Sequence, residues 1–200
     1  MLTLIARLLL AAALGYLIGA FPTGLVITRL LGKRDIRFTG SGHIGGRNVW
    51  RLAGFGWGAV TALADAGKGA LAGWLALRLL ATSWALPAAG MAAVAGHCWS
   101  AYIGFAGGMG LGALGGLFLW QRPLLVPLAS ALWGLGYLLL RDSPRGVMAM
   151  NVVMVAVFWV LGQTSHLSPE VTVLGIGGVT IVFLRHLTQL ACYQERSQAP

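Results

Sequence analysis

The chain has 200 residues, of which 58% are hydrophobic and only 10% charged, with a formal net charge of +9. A soluble domain carries roughly 25% charged residues, so this composition, with a mean hydropathy of +0.79, leaves little surface for water and excludes an ordinary soluble globular protein. The basic excess is spread over several short segments of a hydrophobic chain, which argues against a nucleic-acid footprint and for a protein solvated mainly by lipid.

Apolar runs of bilayer-crossing length fall near residues 4–30, 56–81, 86–105, 109–121, 123–140, 146–163 and 169–185. They predict an all-α membrane protein, a polytopic bundle of about seven transmembrane helices filling residues 1–200 as a single integral-membrane domain. The run at 109–121 is short and glycine-rich, so it reads as a partial span tucked between others, with six crossings as the fallback. The first run is too long for a signal peptide and has no small-residue cleavage site, so it reads as a retained helix.

Between the first two runs lies "GKRDIRFTGSGHIGGRNVWRLAG". Gly40, Gly42 and Gly45 fit G-x-G-x-x-G, but the dinucleotide motif needs a strand before it and a βαβ helix after it, and both neighbours here are membrane spans. The local chemistry stands without that fold. Glycines turn successive N–H groups toward an anion, Ser41 and Asn48 add polar groups, and Arg47 and Arg51 add charge-assisted hydrogen bonds. The segment suits a phosphate; equally, it suits a tight turn whose arginines anchor topology. In the second run, Asp65 and Lys68 of "LADAGKGAL" are spaced to meet across one helical turn, and charges at membrane depth face a polar interior.

A second polar island, "GHCWSAYIGFAGGMGLGALGG", places His97 near a helix end before Gly107, Gly108 and Gly110. A third closes the last run, with Arg185 and His186 in "LRHLTQLACYQERSQ". Each also has a plain structural explanation, as a core histidine, a packing glycine or an interfacial anchor. Cys98 and Cys192 show no metal-ligand spacing, and no metal site is expected.

Orientation follows from the basic residues. With the amino terminus outside, the inner loops hold Lys33, Arg34, Arg37, Arg47, Arg51, Arg141, Arg145, Arg185 and Arg196, and the outside keeps only Arg7, Arg78 and Arg122. This is the positive-inside asymmetry, and it puts all three islands at the cytoplasmic face.

The three islands, in this order, resemble the bacterial acyl-phosphate:glycerol-3-phosphate acyltransferases. That family carries GSGNxGATNxxR, then DxxKG, then GHxxPxFxxFxGGKG, then RHxxNIxR. "GSGHIGGRNVWR", "DAGKG", "GHCWSAYIGFAGGMG" and the start of "RHLTQLAC" match them in turn, and the resemblance covers the whole chain. The departures are specific. Met109 stands at the lysine of GGKG, His43 at the asparagine of GSGN, and Gly46-Arg47 at the Ala-Thr of GATN. Ser100 takes the proline's place, Gln189 the last asparagine's and Cys192 the last arginine's.

The resemblance implies acyl transfer from a fatty acyl phosphate to the 1-hydroxyl of glycerol 3-phosphate, giving lysophosphatidic acid and phosphate in phospholipid synthesis. It implies Ser41, Arg51 and His97 as catalytic residues. Gly40, Gly42, Gly45, Arg47, Asn48, Lys68, Gly107, Gly108, Gly110, Arg185 and His186 would bind substrate. No cofactor is implied, because the acyl phosphate is already activated. The implied setting is the inner (plasma) membrane of a bacterium, with the protein a monomer in the bilayer. Two other readings stay open: a degenerate relative that binds a phosphorylated lipid or metabolite without turnover, and a transporter.

Overall fold

The computed structural model describes residues 3–140 and 143–198; side chains are described for residues 3–140 and 145–190. The side chains of Arg141, Cys192 and Arg196 lie outside the described residues. Among the described residues there is no strand.

The first apolar run is two helices, α1 (Leu4–Ala20) and α2 (Thr23–Leu30), divided at Phe21–Pro22. Proline has no N–H to continue the ladder, so the break leaves carbonyls for other elements to bind. The Ser100 hydroxyl donates to the Ala20 carbonyl at 2.5 Å, and the Lys68 ammonium donates to the Phe21 carbonyl at 2.8 Å. Next come α3 (Gly46–Ala53), α4 (Phe55–Leu80), α5 (Ala85–Cys98) and α6 (Leu111–Gln121). α7 (Leu125–Leu140), α8 (Ser143–Gln163) and α9 (Pro169–Gln198) complete the chain.

Apart from α2 and α3, these helices correspond in order to the expected apolar runs. Leu4–Leu30, Arg145–Gln163 and Pro169–Leu190 are each long and apolar enough to cross a membrane. α4 has the length but carries Asp65, Lys68 and Arg78. The run expected to extend to residue 105 stops earlier. α5 ends at Cys98, and the chain folds back through a short 3-10 turn at Ala101–Ile103. Ser100 holds this turn-back, its backbone N–H donating to the Ala106 carbonyl at 2.9 Å.

Small residues set the close contacts. Gly15 lies against Ala89 and Gly19 against Ala93, so α1 and α5 meet backbone to backbone; a Cβ on either glycine would enter the backbone of the facing helix. In lipid, where apolar burial gives little drive between helices, this intimacy is how spans associate. The same device joins α4 to α6, with Gly116 against Ala66 and Gly69 against Ala113. The main core lies between α5, α6, α7, α8 and α9, around Leu117, Phe118, Phe158 and Leu174. Large residues such as Leu9, Leu63, Leu79 and Leu138 face outward, as a lipid-exposed surface requires.

Alternation of direction decides where the polar islands go. α1, α5, α7 and α9 end, and α4, α6 and α8 begin, at one end of the bundle. At the other end Arg7 donates to the Leu80 carbonyl and Ser83 to Glu170. The breaks after α2, before α6 and late in α9 therefore share a single end.

Candidate active site

A cavity of about 470 Å³ opens at that end. Four separate stretches supply its polar lining: Ser41 to Arg51, Asp65 of α4, His97 of α5 with Met109 and Gly110 beyond it, and His186 with Gln189 of α9. The three islands meet.

The loop before α3 is built around Asn48. Its side-chain amide donates to the carbonyls of Ile36, Thr39 and His43 at 3.3, 2.9 and 2.9 Å, and its Oδ1 accepts from the Ser41 N–H at 3.3 Å. The Asn48 side chain is thus committed to shaping the loop. Gly40 and Gly42 have φ of +61° and +73°, a region where a Cβ is strained, and a Cβ on Gly40 would also strike the Asn48 amide. The result presents the Ser41 hydroxyl, which has no hydrogen bond to a described residue, to the cavity.

α3 was expected as part of a loop. As a helix it puts Arg47 and Arg51 one turn apart on one face, and both line the cavity. Neither guanidinium makes a hydrogen bond or ion pair with a described residue. The first residues of α3 and of α6 also border the cavity, at Gly45–Arg47 and Gly110–Gly112. Helix N-termini carry N–H groups that no earlier turn can pair and favour anions. Two arginines without a partner among the described residues and two helix starts together suit an anion.

Two expected ligand cations are instead bound within the protein. Lys68 is paired with Asp65 at 2.9 Å, donates to the Phe21 carbonyl at 2.8 Å and lies 3.4 Å from His97 Nδ1. It does not line the cavity. Arg185 donates through Nε to the Gly108 carbonyl at 3.0 Å and through Nη2 to that of Gly107 at 3.4 Å, with its guanidinium over the Trp99 ring. It anchors the glycine loop from α9. Gly107 and Gly108 act through that loop, since a Cβ on Gly108 would collide with the His97 ring.

His186, only 4% exposed, has Nδ1 at 2.8 Å from the Val182 carbonyl. A carbonyl only accepts, so Nδ1 carries a proton, and in the neutral ring Nε2 keeps its lone pair. His43 lies in the loop outside the helices that span. Its burial, then the nearby Arg185 charge, push its imidazole down to about 4, and its Nε2 is buried with no hydrogen-bond partner among the described residues. At neutral pH His43 is uncharged. At the loop's edge, Arg37 clasps the Asp35 carboxylate at 2.7 Å and holds it down at about 2.

Several wall residues are not singled out as site residues by the sequence. His43 and Gln189 were marked only as departures from a pattern, and Asp65 only as half of an ion pair. Val147 of α8 carried no signal at all; it reaches the wall because α8 packs on α9. A second cavity of about 220 Å³, almost wholly apolar, runs between α6, α7, α8 and α9. It shares Leu111 and Gly112 with the polar one, so the two lie side by side along α6. No group of three or more potential metal ligands occurs among the described residues.

Comparison with known proteins places this geometry in a lineage. The glycerol-3-phosphate acyltransferase family model matches residues 9–194. The glycerol-3-phosphate acyltransferase of Rubrobacter xylanophilus is 37% identical over 177 residues, covering 88% of this chain and 86% of that protein. That of Syntrophotalea carbinolica is 46% identical over 129 residues, covering 64% of each. Among solved structures, the crystal structure of PlsY, an integral membrane glycerol 3-phosphate acyltransferase in its glycerol 3-phosphate form, superposes with a TM-score of 0.75 at 25% identity. The superposition covers 94% of this chain and 92% of that one.

Proposed function

The chain belongs to the glycerol-3-phosphate acyltransferase family, and from that premise we propose that it transfers a fatty acyl group from acyl phosphate to the 1-hydroxyl of glycerol 3-phosphate. Lysophosphatidic acid and inorganic phosphate are the products. It is a multi-pass membrane protein. We infer that it is a monomeric single domain in the bacterial plasma membrane, amino terminus outside and cavity at the cytoplasmic face.

One observation carries this reading: a cavity lined by two arginines that have no partner among the described residues adjoins an apolar cavity between helices. Both substrates bear phosphate, and one bears a hydrocarbon chain. Arg47, Arg51 and the starts of α3 and α6 fit the phosphoryl groups. The apolar cavity on the other side of Leu111 and Gly112 fits the acyl chain.

The step needs no cofactor. The acceptor hydroxyl attacks the acyl carbonyl carbon, forming the ester C–O bond as the bond from that carbon to the phosphate oxygen breaks. The hydroxyl proton leaves with inorganic phosphate. Ser41 and Arg51 serve the reacting phosphate and hydroxyl, and His186 Nε2 accepts a hydrogen bond from the acceptor. The protein contributes positioning and charge stabilisation.

Purified protein in detergent or nanodiscs, given acyl phosphate and labelled glycerol 3-phosphate, should form labelled lysophosphatidic acid in step with phosphate release. Phosphate release without glycerolipid means a hydrolase. Retained glycerol 3-phosphate binding with no turnover means the binding-only relative, and either result refutes the proposal.

A further inference from the structure

Lys68 is the buried charge that the transfer reaction leaves without a task. An ammonium has three N–H donors and no acceptor. Here its three partners are the Phe21 carbonyl at 2.8 Å, Asp65 Oδ1 at 2.9 Å and His97 Nδ1 at 3.4 Å. Because lysine can only donate, Nδ1 receives that contact with its lone pair, and the proton of the neutral ring sits on Nε2. The rival arrangement, an Asp65–His97 dyad with the proton on Nδ1, would need those two atoms in hydrogen-bond contact. They stand 3.7 Å apart, and the same carboxylate oxygen is already bound to Lys68.

His97 lines the cavity, with Nε2 over the Gly108 backbone. We propose that Lys68 is a positioning residue that fixes His97 as an N–H donor at the cavity. His97 then hydrogen-bonds an oxygen of the reacting acyl phosphate and cannot serve as a base. The inference rests on the acyl-transfer reading above for the identity of that oxygen. His186 holds the opposite tautomer, set by Val182, so the two histidines divide the work. One offers a proton to developing negative charge, and the other offers a lone pair to the attacking hydroxyl. Lys68 also neutralises Asp65, a carboxylate in the wall of an anion site.

The imidazole can be read directly. Nitrogen-15 NMR of histidine-labelled protein in micelles near pH 7, with His97 assigned by its loss in His97→Gln, should show an unprotonated Nδ1 and a protonated Nε2. A protonated Nδ1 overturns the proposal whether or not the protein makes lysophosphatidic acid, which separates this failure from failure of the acyl-transfer reading. The paired variant Asp65→Asn with Lys68→Met removes both buried charges together. It should release His97 into a mixture of tautomers, and an unchanged Nε2–H form refutes the role of Lys68. In the activity assay, His97→Gln keeps an N–H donor and should stay within about tenfold of wild-type kcat, while His97→Ala falls by about 10²-fold. A loss of 10² or more in both, the scale of a missing general base, also refutes it.

Discussion

The Arg185 guanidinium holds the Gly108 carbonyl at 3.0 Å, joining the last helix to the glycine loop after α5. A charged donor of this kind contributes about 1.5–3 kcal/mol, here spent on the shape of the loop. Arg185→Met should lower unfolding stability by about that amount and reduce kcat/KM for both substrates. Thermal unfolding in detergent beside steady-state kinetics decides the matter. A raised KM for one substrate with unaltered stability would make Arg185 a ligand contact.

Met109 stands where the related motif carries lysine, and Arg47 where it carries threonine. Both line the same cavity. Losing a cation beside a reacting phosphate in a partly dry site costs on the order of 2–4 kcal/mol of transition-state stabilisation, or roughly two to three decades of rate. We propose that Arg47, which has no partner among the described residues, supplies the charge within the same cavity. Arg47→Thr should therefore cut kcat by about 10²-fold, and adding Met109→Lys should restore at least tenfold. If the double variant is no better than Arg47→Thr alone, the compensation does not exist.

Gly115 lines the apolar cavity, and an added Cβ there meets no atom within 4 Å. Gly115→Leu should fold normally and fill the channel. The expected effect is a KM for long-chain acyl phosphate raised about tenfold or more, a smaller effect with short chains, and an unchanged KM for glycerol 3-phosphate. Equal effects on all donors would move the acyl chain elsewhere.

His43 sets a pH dependence whose sign can be worked out. Its pKa falls from an ordinary value near 6.5 to about 4, through burial first and then the charge of Arg185, with His186 adding to it. Below about pH 6.5 the unfolded chain takes up a proton that the folded protein refuses. The stability this group contributes is therefore complete above pH 6.5 and lost as pH falls toward 4. His43→Asn should flatten that limb of the stability profile relative to wild type, measured by unfolding between pH 7 and 4. Parallel profiles would show that His43 ionises freely in the folded protein.

Much of the architecture was legible. Apolar runs gave the helices because a bilayer fixes span length, and only the end of α5 and the break at Phe21–Pro22 needed moving. The meeting of the islands followed from alternation of direction alone. α3 was missed because eight residues are too few to set a helical period apart from the glycine-rich loop before them; in the fold Val49 is fully buried against Leu25, Ile36 and Ile44. Lys68, Arg185 and Asn48 were expected at the substrate, yet their donors go to carbonyls and a carboxylate brought close by the fold.

Composition and residue order establish a charge-poor helical bundle, the order of its polar segments and the type of chemistry those segments could hold. Composition and spacing suffice for that, because lipid imposes one length and one polarity on every span. Tertiary structure alone decided which cations bind backbone, which have no partner among the described residues, and which groups face the ring nitrogens of His97 and His186. A donor is spent or spare only with respect to acceptors around it, and here those acceptors come from helices distant in the chain.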